Sequence, residues 1–81
     1  MYYVYILHCS DGSIYTGYAI DIKRRLQEHR EGKGSKYVRS RLPVKLIYIE
    51  RFRSKSRAMK REIEIKSLDR EEKIKMLKLD L

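Results

Sequence analysis

Cysteine occurs once in these 81 residues, at Cys9, so no internal disulfide can form and no zinc site can be built from cysteines. Long hydrophobic runs are missing. The most apolar stretch, residues 2–7, is far too short to span a bilayer, and no basic segment precedes it as in a secretory signal. The expectation is therefore a cytoplasmic protein without a membrane partner. Internal repeats and low-complexity tracts are also lacking. A chain this short has room for one small core, so a single domain over residues 1–81 is expected, with no separate recognition unit.

Acidic side chains are scarce: 11 Asp and Glu stand against 20 Lys and Arg, a formal charge of +9 with a pI near 9.9. The imbalance is uneven. Residues 1–20 contain no Lys or Arg, whereas residues 21–41 carry Lys23, Arg24, Arg25, Arg30, Lys33, Lys36, Arg39 and Arg41 against only Asp21, Glu28 and Glu31. Clustered positive charge concentrates polyanions and favours phosphate contacts, so nucleic acid is the expected partner and a merely solvated basic face the alternative.

What is present in abundance is tyrosine, seven in all, with three in the first five residues. Residues 2–7 are apolar at both parities and rich in β-formers, which predicts a strand buried on both faces. Asp11-Gly12 signals a hairpin turn, and residues 13–18 read as the returning strand. On that reading Tyr3, Tyr5 and Leu7 share one face, and Ser13, Tyr15 and Gly17 share one face of the partner. Asp21 caps a helix to about Arg30, with Ile22 and Leu26 inward, and Gly32 and Gly34 stop it. Residues 32–43 form a basic loop with a helical turn around residues 36–40. Residues 44–50 give a third strand, at a sheet edge. Ser54 or Ser56 caps a second long helix to about Lys66, and Asp69 with Glu72 starts a last helix whose apolar stripe is Ile74, Leu77 and Leu81. The predicted class is α+β, a three-stranded antiparallel sheet flanked by helices in the order β-β-α-β-α-α.

Four side chains stand out chemically. Tyr5 and Tyr15 lie on paired strands, and Gly17 beside them permits close approach of backbone or ligand. Arg25 flanks the inward face of its helix, with His29 one turn on; its guanidinium fork suits a phosphate gaining charge. Ala58, Met59, Glu62 and Ile65 share one side of the second long helix, with Glu64 on the other. A carboxylate in an apolar stripe needs a partner: a cation such as Arg25, a Mg²⁺ or Mn²⁺ ion, or a structural salt bridge. His8 and Cys9, adjacent on a strand, point to opposite faces and read as structural.

These pieces meet in one pattern. Tyr3-Val4-Tyr5, then Tyr15-Thr16-Gly17, then Ala19, Arg25 and His29, then Ala58-x-x-x-Glu62, together resemble the GIY-YIG nuclease family over about residues 2–68. The Gly32-Lys33-Gly34-Ser35-Lys36-Tyr37 loop followed by Pro43 looks like its small stand-alone members. Tyr3 stands where the motif has its first glycine, Thr16 where it has isoleucine, and Tyr18 where many members carry lysine. The resemblance implies that Tyr5 and Tyr15 lie near a scissile phosphate and that Arg25 stabilises the phosphoryl charge. It further implies that Glu62 holds one Mg²⁺ or Mn²⁺ ion and that His29 assists.

The expected activity is metal-dependent hydrolysis of DNA phosphodiester bonds, structure-selective and belonging to DNA repair or recombination, with RNA left open as substrate. Arg24, Lys33, Lys36, Arg39 and Arg41 would track the backbone without reading bases. The expected state is a monomer, with a protein partner possible as the source of specificity. The rival expectation is a nucleic-acid-binding module or adaptor of the same fold with weak or no turnover.

Overall fold

A computed structural model describes residues 1–81. Seven elements follow one another: β1 (Tyr2–Cys9), β2 (Ile14–Ala19), α1 (Ile22–Arg30), α2 (Lys36–Arg39), β3 (Val44–Phe52), α3 (Lys55–Lys66) and α4 (Arg70–Met76). The strands form one antiparallel sheet in the order β2-β1-β3, so the α+β class holds and β3 is an edge strand. β1 takes the centre because it alone is apolar on both faces. Val4 and Ile6 pack with Ala58, Ile65 and Leu79 on the side of α3 and α4. Tyr5 and Leu7 pack with Ala19 and Val38 on the side of α1 and α2. The hydrophobic gain from both burials is concentrated on one strand.

β3 runs two residues past the expected limit of Glu50. Arg51 pairs with Tyr3 and Phe52 with Tyr2, so the full length of β1 templates it. A register shift between Ile6 and Leu7 leaves Ile47 as the extra residue of a bulge, which bends the edge strand. Helix α3 begins after Ser54, whose hydroxyl accepts from the Arg57 amide, and this settles the choice between Ser54 and Ser56. The Arg61 side chain on α3 donates through Nε to both Glu50 oxygens on β3, at 3.2 and 2.9 Å, and so fixes the rotation of the helix that carries Glu62. Asp69 and Glu72 cap α4 reciprocally.

The C-terminal stripe differs from the expectation. α4 stops at Met76, Lys78 adopts φ +53°, and the chain turns so that Leu79, rather than Leu81, enters the core. Leu81 is exposed. A helical spacing carries no meaning past the point where the backbone leaves the helix.

Two buried polar groups test this packing. Thr16 faces the α3 side opposite Ile6, is 3 % exposed, and its hydroxyl has no hydrogen-bond partner. A buried unsatisfied hydroxyl costs on the order of 1–3 kcal/mol, so Thr16→Val should stabilise the fold by about 1 kcal/mol or more in denaturant titration. His29 is fully buried on the other face. Burial, and after it the nearby Arg25 charge, push its pKa below the ordinary 6.5. The unfolded chain therefore binds the proton more readily, and the stabilising contribution is complete above about pH 6.5 and is lost as pH falls toward the folded value. Unfolding free energy should fall as pH drops below about 6.5 toward the folded pKa, and His29→Gln should flatten that slope.

Candidate active site

The hairpin and α1 bring the first three side chains together by register. Tyr5 pairs with Gly17 and Leu7 with Tyr15, so both tyrosines face the α1 side. Tyr5 lies across Gly17: a Cβ there would collide with the Cζ and hydroxyl of Tyr5. Gly17 therefore makes room for Tyr5 itself, not for a ligand. From α1, His29 reaches the same point, and its Nε2 lies 2.7 Å from the Tyr5 hydroxyl in a fully buried hydrogen bond. Gly34 crosses the His29 ring so closely that a Cβ would strike Nδ1.

Tyr5 is completely buried, and burial, against the lowering effect of Arg25, pushes its phenol up to about 12. Tyr15 and the Glu62 carboxylate also raise it through their charges. Two tautomers satisfy the Tyr5–His29 bond: either the phenol donates to Nε2, or Nε2–H donates to the phenol oxygen. His29 Nδ1 has no partner. Neither Tyr5 nor His29 offers surface to a phosphate, so both sit behind the accessible groups.

Tyr15 is half-buried and is held by rings: His29 edge-on at 5.5 Å, Tyr5 tilted at 6.5 Å and Tyr37 stacked at 5.9 Å. The Arg25 side chain, 34 % exposed, spans from the core to solvent. One terminal nitrogen donates to the Gly34 carbonyl at 3.1 Å, and the other approaches Glu28 at 3.5 Å. Arg25 also lines a groove of about 400 Å³ with Arg24, Asp21 and Glu28.

Glu62 comes from α3, which covers the other face of the sheet, yet its charge still acts on Tyr5. Its side chain is only 14 % exposed, between the fully buried Ala58 and Ile65. Met59, expected in the same stripe, lies at its exposed margin. Of the partners considered from sequence, Arg25 does not pair with Glu62; Lys66, one turn on, does so at 3.3 Å. No group of three or more His, Cys, Asp or Glu side chains converges. One carboxylate does not make a closed metal cage. It does fit a hard, water-rich ion such as Mg²⁺, which binds through one or two carboxylates together with substrate phosphate.

The basic residues divide into free and engaged. Arg24, Lys36 and Arg39 are exposed and form no ion pair. Lys33 contacts Glu31 at 3.6 Å across an exposed surface. Arg41 is engaged: its Nε donates to Asp11 at 2.9 Å, and its guanidinium lies 3.8 Å from the centre of the Tyr37 ring. From the sequence Asp11 is only a turn residue and Tyr37 only a loop residue, because only the folded hairpin brings the turn against α2. Arg51, Arg53 and Arg57, which no local sequence signal singles out, surround a groove of about 420 Å³ at the start of α3. Tyr18, in place of the motif-following lysine, stacks on Tyr2 at 6.4 Å and packs against the α3-side core.

Comparison with known proteins points to one family. The description "GIY-YIG catalytic domain" matches residues 1–75. A UPF0213 protein of Staphylococcus saprophyticus is 51 % identical over 76 residues, 94 % of this chain and 93 % of the relative. A UPF0213 protein of Streptococcus agalactiae is 54 % identical over 76 residues, with 94 % and 86 % covered. Among solved structures, the solution structure of a UPF0213 protein from Bacillus halodurans superposes with a TM-score of 0.64 at 48 % identity, covering 96 % of this chain and 84 % of that one. The solution structure of a protein from E. faecalis does so with 0.68 at 44 %, covering 95 % and 82 %. With the family match spanning residues 1–75 and relatives about half identical over nearly the whole chain, the protein belongs to the GIY-YIG family.

Proposed function

We propose that this protein is a metal-dependent endonuclease that hydrolyses DNA phosphodiester bonds, selecting its substrate by shape in DNA repair or recombination. The observation that carries this reading is the buried Tyr5–His29 pair with Tyr15 packed edge-on against His29 and Arg25 anchored beside it on Gly34, next to unpaired basic side chains. The family is one of nucleases, and no helix of the chain is long and apolar enough to cross a membrane.

Arg24, Lys36 and Arg39 hold the backbone by charge and leave the bases unread. Arg25, anchored on the Gly34 carbonyl, presents its guanidinium to the phosphoryl oxygens as they gain charge. A water forms the new bond to phosphorus, and the ester oxygen leaves and takes up a proton from solvent. Tyr5 is completely buried with its hydroxyl engaged by His29, so we assign acceptance of the water's proton to the half-buried Tyr15, which passes its own proton to solvent. Tyr5 and His29 hold Tyr15 and Arg25 in place from behind. Glu62 would hold the divalent ion, which when bound supplies positive charge at the reacting oxygens.

One observation favours a second reading, a binding module or adaptor without efficient turnover. The Lys66 ammonium lies 3.3 Å from one Glu62 carboxylate oxygen and competes with a divalent ion for it.

Two measurements separate the readings. Branched, single-stranded and duplex DNA, with an RNA counterpart, should be nicked in the presence of Mg²⁺ or Mn²⁺. Arg25→Ala and Glu62→Ala should each lower the single-turnover rate by about 100-fold or more. Cutting by both variants at the wild-type rate would sink the enzyme reading. In metal-free binding assays, log affinity should fall linearly with log salt concentration. Lys36→Ala with Arg39→Ala should make that slope shallower by roughly 0.9 for each duplex phosphate these side chains neutralise. An unchanged slope would remove these residues from the interface.

A further inference from the structure

Tyr37 is an aromatic side chain at the protein surface, 39 % exposed, on the basic segment beside the candidate site. On a nucleic-acid-binding surface such a ring ordinarily offers itself to a base. Here its stacking partners come from within the protein. Tyr15 stacks on it with centroids 5.9 Å apart and planes 28° apart, and the Arg41 guanidinium lies 3.8 Å from its centre.

Arg41 is itself fixed from several directions. Its Nε donates to Asp11 Oδ2 at 2.9 Å, and a terminal nitrogen donates to the Tyr37 carbonyl at 2.9 Å and to the Ser40 hydroxyl at 3.0 Å. Its own carbonyl accepts from both the amide and the hydroxyl of Ser10, at 3.0 and 2.9 Å. Asp11 accepts in addition from the Ser13 amide and hydroxyl, at 3.0 and 2.6 Å. The β1–β2 turn and the end of α2 are thus tied together by two side-chain links that span 30 and 31 residues of chain. An exposed ion pair alone contributes little stability. What this one does is geometric: it holds the Tyr37 ring against Tyr15.

We propose that Tyr37, clamped by Arg41 and Asp11, is a positioning residue that fixes the ring of Tyr15. The opposing supports are the buried His29, edge-on to Tyr15 at 5.5 Å, and Tyr5 at 6.5 Å. Those two lie in the core and cannot follow a moving ring, whereas Tyr37 closes the outer side. Without it, Tyr15 gains freedom toward solvent and its hydroxyl leaves the position from which it meets the attacking water. The Tyr37 bonds that hold α2 and Arg41 run through its backbone carbonyl and none through its hydroxyl, so the ring and not the phenol oxygen carries the role. The catalytic consequence rests on the nuclease reading above; the packing does not.

The test therefore has one arm that needs no activity. In the full chain, aromatic ¹³C–¹H spectra of Tyr37→Ala should show shifted or broadened Tyr15 resonances while the amide signals of β1 keep their wild-type positions. Tyr37→Phe should restore the Tyr15 resonances. Asp11→Asn, which keeps an acceptor for Ser13 but removes the ion pair, should shift Tyr15 in the same direction and less far. It provides the readout should Tyr37→Ala fail to fold. Unmoved Tyr15 resonances in the folded variants would overturn the proposal. In the second arm, DNA cleavage with Mg²⁺ or Mn²⁺, Tyr37→Ala should lower kcat about 100-fold with little change in KM, and Tyr37→Phe should stay near wild type. A raised KM at unchanged kcat would make Tyr37 a base platform and also overturn the proposal. Absence of cleavage by the wild type would count against the nuclease reading, and the spectra alone would then decide whether Tyr37 positions Tyr15.

Discussion

The site depends on a single buried hydrogen bond, between the Tyr5 hydroxyl and His29 Nε2, made between the central strand and the first helix. Two glycines make it possible. Gly17 leaves the space the Tyr5 phenol crosses, and Gly34 leaves the space beside the His29 ring. Any larger residue at either place would push the ring away and open the bond. In a low-dielectric interior a satisfied polar pair is rigid and a broken one is costly, so this bond sets where Tyr15 and Arg25 stand. Arg25 is drawn into the same arrangement because its guanidinium donates to the Gly34 carbonyl. The family's glycine is in this chain a steric requirement of the family's tyrosine.

Around that bond the small sheet divides the work. The α3 and α4 side, with Val4, Ile6, Ala58 and Ile65, is a dry core that carries stability. The α1 and α2 side is also packed, yet it carries buried polar groups and the candidate chemistry. Glu62 links the two, since it comes from the stabilising helix and still acts on the Tyr5 phenol. The Arg61–Glu50 bridge fixes α3 on the sheet and so determines where Glu62 points. Thr16 is a defect in the dry core, an unpartnered hydroxyl where the motif ordinarily has isoleucine.

The positive charge is not uniform in kind. Arg24, Lys36 and Arg39 stay free of carboxylates, so their charge is open to solvent and its reach is set by salt screening. Arg41 carries the same formal charge but is committed to Asp11 and Tyr37. Counting basic residues overstates the charge offered to a ligand when a carboxylate from elsewhere in the chain folds back onto one of them.

Local physics determined much of this protein from its sequence. Two-sided apolarity placed β1 at the centre, Asp11-Gly12 made the hairpin, Asp21 and Asp69 capped their helices, and strand alternation put Tyr5 and Tyr15 on one face. Each of these follows from side-chain period, turn chemistry or capping, which act over a few residues. Other features were decided only by tertiary structure: the extension of β3 to Phe52, the entry of Leu79 rather than Leu81, the pairing of Glu62 with Lys66, and the tie from Asp11 through Arg41 to Tyr37. They depend on where a partner element ends or on contacts between residues far apart in the chain. Lys66 is near Glu62 in sequence, but whether it or a distant cation takes the carboxylate depends on what the folded surroundings leave within reach.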